Sequence, residues 1–153
     1  MKLGDVFRKE RELRGITLTQ ATTKVGISET EYRLLENGNS PAEKWGPLLA
    51  QIAIKLGTPM SRLINDSGRA ANGENSECGR LIRLQREQKH KSLEEMATSL
   101  GLSRDAYEQI ERCESPIEIC GPLLLRFAEL IEQPVFNLLY PCTLPLEKLK
   151  DYS

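Results

Sequence analysis

Few residues in this chain have the types and spacing needed for bond-making chemistry. Cys78, Cys113, Cys120 and Cys142 lie in the second half of 153 residues, and no pair has the CxxC spacing of a zinc module or thiol oxidoreductase. Reduced thiols are the expected state in a reducing compartment. Cys113 and Cys120, seven residues apart, are the pair that a redox switch or metal site would draw on. His90 is the only histidine, and its place at the end of a helical pattern fits an exposed C-terminal cap residue. No nucleophile–base pair, phosphate-cradling loop or catalytic carboxylate motif is legible. The expectation is therefore a protein that is not an enzyme and has no cofactor and no metal. What remains is a set of clustered cations. Arg8, Lys9, Arg11 and Arg14 form one group, with Arg80, Arg83, Arg86, Lys89 and Lys91 at matching positions further on.

The elements that position these cations are repeated. Shifted by about 75 residues, the chain matches itself without a gap over roughly 60 positions. Gly4 falls on Gly79, Arg8 on Arg83, Arg11 on Arg86, Leu18 on Leu93, Gly26 on Gly101, Tyr32 on Tyr107 and Glu36 on Glu111. Ser40-Pro41 meets Ser115-Pro116, Gly46-Pro47-Leu48-Leu49 meets Gly121-Pro122-Leu123-Leu124, and Pro59 meets Pro134. Apolar character persists where letters change, as at Val6/Leu81, Phe7/Ile82 and Ile52/Phe127. The pattern divides the chain into units at 1–66 and 78–141, a polar, Gly/Asn-rich linker at 67–77, and a tail at 142–153.

Each unit reads as five short helices, an all-α architecture. Leu3, Val6, Phe7 and Leu13 share a face of the first. Thr17-x-x-Gln20 and Ser92-x-x-Glu95 are capping boxes that open the second, and Gly26 and Gly101 stop it. Ser28 and Ser103 cap the third, with Ser28-x-x-Glu31 a further capping box. Gly-Pro at 46–47 and 121–122 opens the fourth, and the fifth follows Pro59 and Pro134. Trp45, just before the first Gly-Pro, reads as a packing residue, since one aromatic is no stacking platform. Cys78 aligns with Leu3 and Cys120 with Trp45, so both read as small hydrophobes.

A helix, a glycine-containing turn and a second helix form the helix-turn-helix layout. On the string Leu18…Val25-Gly26-Ile27-Ser28…Tyr32…Leu35-Glu36-Asn37-Gly38, and its copy Leu93…Leu100-Gly101-Leu102-Ser103…Tyr107…Ile110-Glu111, the chain resembles the phage repressor and Cro (XRE) family of regulators. The resemblance covers most of the chain. It implies two tandem five-helix repressor-like domains and sequence-specific binding of double-stranded DNA for transcriptional control. By resemblance, Arg11 pairs with Glu36 and Arg86 with Glu111, fixing the first helix across the third. The third helix would enter the major groove with its N-terminal residues toward base edges. The readers implied are Ser28, Glu29, Thr30 and Arg33 in unit one, and Ser103, Arg104, Asp105, Glu108 and Gln109 in unit two. Arg suits guanine and Gln adenine, which favours Arg104 and Gln109. Arg8, Lys9, Thr17, Asn37, Arg83 and Ser92 complete the DNA-facing set. Family members dimerise onto paired half-sites, so a homodimer is expected, or a covalent tandem acting as a pseudo-dimer.

Departures from the family pattern qualify these expectations. Leu18 and Leu93 stand where many members have a phosphate-gripping Gln, Thr22 replaces a small Ala, and Cys113 replaces the Gly after the third helix. Residues 1–70 carry 11 basic and 8 acidic side chains; residues 78–153 carry 10 and 12. Unit one is the better partner for a polyanion. The alternatives are a protein-interaction module that keeps the fold, such as a co-regulator or antitoxin-like partner, and a thiol or metal sensor. Domain two or the tail, with Leu144, Leu146 and Leu149, would contact a protein partner. No apolar stretch approaches membrane-spanning length, and a cytoplasmic location without membrane contact is expected.

Overall fold

The computed structural model describes residues 2–64 and 77–142. The expected linker and tail therefore lie outside the described residues, except Glu77 and Cys142. Among the described residues every regular element is helical. The first repeat comprises α1 (Leu3–Leu13), α2 (Leu18–Val25), α3 (Glu29–Glu36), α4 (Ala42–Leu56) and a 3₁₀ turn, Met60–Leu63. The second comprises α5 (Cys78–Gln88), α6 (Leu93–Leu100), α7 (Arg104–Glu111), α8 (Ile117–Leu130) and the single turn α9 (Phe136–Leu139).

Local chemistry sets most of these boundaries. Thr17 and Ser92 accept from the backbone N–H groups of Gln20 and Glu95, and those side chains return the bond to the cap N–H, completing both boxes. Gly26 and Gly101 end α2 and α6 in the left-handed region, at φ 82° and 71°. At Ser28 the box is only half formed. The hydroxyl accepts from Glu31 N–H, but the Glu31 carboxylate bonds the Ser28 hydroxyl (3.1 Å) instead of the backbone N–H.

The fourth helices begin earlier than the Gly-Pro pair suggests. Ser40 Oγ accepts from Ala42 N–H (3.1 Å) and Ser115 Oγ from Ile117 N–H (3.3 Å), and each helix starts five residues before the proline. Pro47 and Pro122 sit inside, each costing one i→i−4 hydrogen bond. The preceding glycines relieve part of the strain, because they lack the Cβ that clashes with a proline ring. They also keep the helix close to its neighbours: a methyl at Gly46 would lie 3.0 Å from Leu3, and one at Gly121 would lie 2.8 Å from Cys78 Sγ.

Neither α1 nor α5 has an N-cap side chain of its own. A carboxylate from the fourth helix supplies the missing acceptors. Glu43 takes the N–H groups of Leu3 and Gly4 (2.8 and 3.1 Å), and Glu118 takes those of Cys78 and Gly79 (3.1 and 2.9 Å). Two of the four orphan donors of each helix are thus satisfied, with negative charge at the positive end of the dipole.

The repeats exchange partners. Within each, the first helix packs on the third and the fourth, but α4 also runs along α8, α2 packs on α8, and α6 packs on α4. The short last segments cross over as well: α9 lies on α1, and the Met60–Leu63 turn lies on α5. Phe7 and Phe127 stack with centroids 4.2 Å apart, and Thr58 bonds the Gln85 side chain across the junction (3.2 Å). One hydrophobic core results, running from Leu3 through to Cys142. Leu13, expected on the buried face of α1 with Leu3, Val6 and Phe7, is 73% exposed.

Candidate nucleic-acid interface

The outward layer of each repeat is built from the α2–α3 pair and its copy α6–α7. Tyr32, Leu35 and Glu36 face inward from α3, leaving Glu29, Thr30, Glu31, Arg33 and Leu34 exposed. On α7, Tyr107 and Ile110 face inward; Arg104, Asp105 and Gln109 are exposed and Glu108 is half-buried. Ser28 and Ser103 stand at the exposed N-termini of these helices, and each hydroxyl accepts from the backbone N–H three residues on. Thr17, Ser92, Arg8, Lys9, Arg83 and Asn37 are all exposed too. Every residue that the sequence marks as DNA-facing therefore reaches solvent.

What fixes the outer helix is an ion pair beneath it. Arg11 grips Glu36 with two parallel bonds, Nε to Oε2 at 2.7 Å and Nη2 to Oε1 at 3.2 Å. Its remaining nitrogen, Nη1, donates to the Ile16 carbonyl (3.2 Å). Arg86 grips Glu111 in the same fork (2.6 and 3.1 Å) and reaches the Lys91 carbonyl at 2.8 Å. Each fork ties the first helix, the third helix and the turn before the second in one unit. Planar guanidinium suits this task because its donors match both carboxylate oxygens at once. Glu36 and Glu111 raise their arginines above the ordinary value through these hydrogen bonds. The buried phenols of Tyr32 and Tyr107 are pushed up by desolvation first and by the neighbouring carboxylates second. Neither phenol oxygen has a hydrogen-bond partner among the described residues.

Gly4 and Gly79 allow this arrangement. A Cβ on Gly4 would stand 2.4 Å from the Leu35 carbonyl oxygen, and one on Gly79 would stand 2.1 Å from that of Ile110. The first helix therefore touches the end of the third backbone to backbone. The letters matched in the repeat, but the reason for them lies in this contact.

The exposed cations differ between repeats. Arg33 pairs with Glu29 (2.7 Å), and Arg8 with Asp5 (2.7 Å). Arg104 is held twice, by Glu108 (2.9 Å) and by Glu94 of α6 (3.1 Å). Arg112 meets Glu108 (3.6 Å) and Glu114 (3.4 Å). The i,i+4 spacings of Arg104, Glu108 and Arg112 are visible in the sequence. The Glu94–Arg104 contact, ten residues apart, appears only once α6 meets α7. Glu43 and Glu118 were missed by the sequence reading, although identical letters at matching positions marked them.

The thiols sit elsewhere. Cys78, Cys120 and Cys142 are buried and Cys113 is half-buried. Burial, then proximity to Cys78, pushes the Cys120 thiol up to about 12, and burial followed by Glu43 pushes Cys142 up to about 11. Among the described residues no three His, Cys, Asp or Glu side chains are grouped to hold a metal. His90 is exposed at φ 57°, and Trp45 packs half-buried against the core with Lys44 Nζ 5.2 Å from its ring centroid. No described helix is long and apolar enough to cross a membrane. Comparison with protein-family models, with characterised proteins and with solved structures finds no match to this chain.

Proposed function

We propose that this chain is a sequence-specific double-stranded DNA-binding regulator of transcription, its repeats being tandem repressor-like helix-turn-helix domains at 1–66 and 78–141. One observation carries the reading. Twice in the chain, a capped helix, a left-handed glycine and a second capped helix present an exposed polar face, which a largely buried Arg–Glu fork pins to a first helix that carries exposed cations. A helix held this way enters a major groove as a rigid body, with Ser28, Thr30 and Arg33 at its leading end. Arg8 and Lys9 on α1 supply phosphate contacts that fix the register. In this reading the packing of α4 along α8 joins the two units, so one chain carries both reading helices.

The test is selection from random duplex DNA at two salt concentrations with the purified chain. A motif should be enriched, and Arg33→Ala should weaken binding to it by about 1–3 kcal/mol, the cost of losing one bidentate base contact. Lys9→Ala should weaken all duplexes alike and reduce the salt slope by about one. Absence of enrichment, with only feeble salt-sensitive binding, would sink the reading. The second reading, a protein-interaction module, is favoured by the extensively ion-paired face of α7, and that outcome would promote it.

A further inference from the structure

The two outer helices occupy equivalent places, yet the second stands in a far more acidic setting. Residues 18–39 carry two cations and three carboxylates, while the matching residues 93–114 carry two cations and six carboxylates. In the first span one carboxylate, Glu36, is consumed internally by Arg11, and Arg33 has a single partner on its own helix. In the second span, with Glu111 likewise consumed by Arg86, both cations remain bracketed. Arg104 bonds Glu108 on one side and Glu94 on the other, and Arg112 bonds Glu108 and Glu114. The first repeat has Thr19 where Glu94 stands, Arg33 where Glu108 stands, and Asn39 where Glu114 stands. The carboxylates that bracket Arg104 are thus peculiar to one repeat, and Glu94, 74% exposed in its side chain, lies on the helix before α7.

Resting on the DNA-binding reading above, we infer that the two reading helices are unequal: α3 engages DNA, whereas Glu94 and Glu108 hold α7 closed by occupying Arg104 and facing the phosphates with negative charge. An exposed ion pair is worth little by itself and would yield its arginine to a guanine. The carboxylates freed by that exchange would still stand beside the DNA backbone, where like charge is repelled. Closure therefore comes from the leftover negative charge more than from the strength of the pair. The operator implied has one well-specified half and one loosely specified half.

A double-mutant cycle on the full chain tests this, with fluorescence anisotropy on the selected duplex over a salt series and circular dichroism to verify unchanged helix content. In the wild-type protein, Arg104→Ala should change affinity less than about twofold, while Arg33→Ala costs tenfold or more, the size of a lost bidentate base contact. Glu94→Gln/Glu108→Gln should tighten binding by about tenfold and steepen the salt slope by one to two counterions. Adding Arg104→Ala to that pair should remove only the part of the gain that the freed Arg104 supplies, leaving the part that comes from relieved repulsion. Glu129→Gln/Glu132→Gln, an equal charge change at the end of α8 and just beyond, should give a much smaller effect. An Arg104→Ala loss as large as that of Arg33→Ala in the wild type would overturn the inequality and leave the DNA reading intact. So would equal gains from the two Gln pairs. No duplex binding by any variant would remove both.

Discussion

At the scale of single residues, backbone conformation and close approach decide which letters are allowed. Gly4 and Gly79 lie inside helices, where alanine would ordinarily be favoured by about 1 kcal/mol. Their missing side chains instead make room for the carbonyl oxygens at the end of the third helix. Gly79→Ala should therefore destabilise the protein by about 2 kcal/mol or more, a penalty in the range of overpacking, read as a lower urea midpoint. A neutral or stabilised variant would refute the contact. The opposite expectation holds where the second repeat has lost its glycines. His90, Cys113 and Glu132 adopt φ of 57°, 62° and 56°, where the first repeat has Gly15, Gly38 and Gly57 at 66°, 78° and 62°. Each substitution to Gly should stabilise by about 1 kcal/mol, since left-handed backbone costs other residues about that much. Thermal midpoints of the three variants check it.

The buried thiols add a dependence on pH at the same scale. Burial pushes the Cys120 and Cys142 thiols up to about 12 and about 11 in the folded chain, above the ordinary thiol value of 9.0. The folded state thus holds these protons more tightly than the unfolded state does. That contribution is complete below about pH 9 and disappears as pH rises toward 11–12. Urea midpoints should fall across that window, and Cys120→Ala should flatten the fall. An unchanged slope in the variant would contradict the burial of this thiol.

At the scale of elements, the Arg–Glu fork holds the third helix to the first, and the neighbouring tyrosine only fills space. Removing one member of a largely buried pair strands the other, which costs about 3–5 kcal/mol. Glu111→Gln should show a loss of that order by chemical denaturation. Tyr107→Phe should be neutral within about 0.5 kcal/mol, because its hydroxyl makes no hydrogen bond of good geometry among the described residues. A large loss in Tyr107→Phe with a small one in Glu111→Gln would reverse these roles. Elements are also joined from a distance: Glu43 and Glu118 begin helices that lie 39 and 40 residues away in sequence. The fourth helix thereby sets the entry point of the first.

At the scale of the whole molecule, the two repeats share a core. α8 packs against α2 and α4, α9 against α1, and the Met60–Leu63 turn against α5. The tilted Phe7 and Phe127 rings meet across this exchange. A fragment of residues 1–66 should fail to unfold cooperatively alone, because the surfaces of α1, α2 and α4 would lose their partners. The full chain should show one transition by both circular dichroism and tryptophan fluorescence. Two separable transitions, or a stably folded fragment, would show that each repeat is self-sufficient. In the DNA-binding reading, the shared core makes the spacing of the two reading helices a fixed property of the chain.

Much of this architecture is written locally. The capping residues at 17, 28, 92 and 103 and the turn glycines 26 and 101 are legible because a cap or a turn involves only a few neighbouring residues, and repetition doubles each signal. The Arg–Glu pairs at 11/36 and 86/111, 25 residues apart, were expected from the family resemblance and from their recurrence at identical spacing. α4 and α8 start before the Gly-Pro pairs that the sequence points to, since a proline inside a helix reads as a beginning unless the serine cap before it is weighed. The Ser28–Glu31 box was half right because a glutamate has two acceptors to choose between, the hydroxyl and the backbone N–H. Tertiary structure alone decided that the repeats exchange partners. Each repeat presents nearly the same apolar faces, so a helix finds an equivalent surface in its own unit or in the other, and hydrophobic periodicity is identical for both. It also decided that Leu13 is exposed and that Glu94 reaches Arg104. The sequence by itself determined the order of the helices and most of their caps and apolar positions. Only packing determined what each face meets, because burial depends on the partner and not on the pattern.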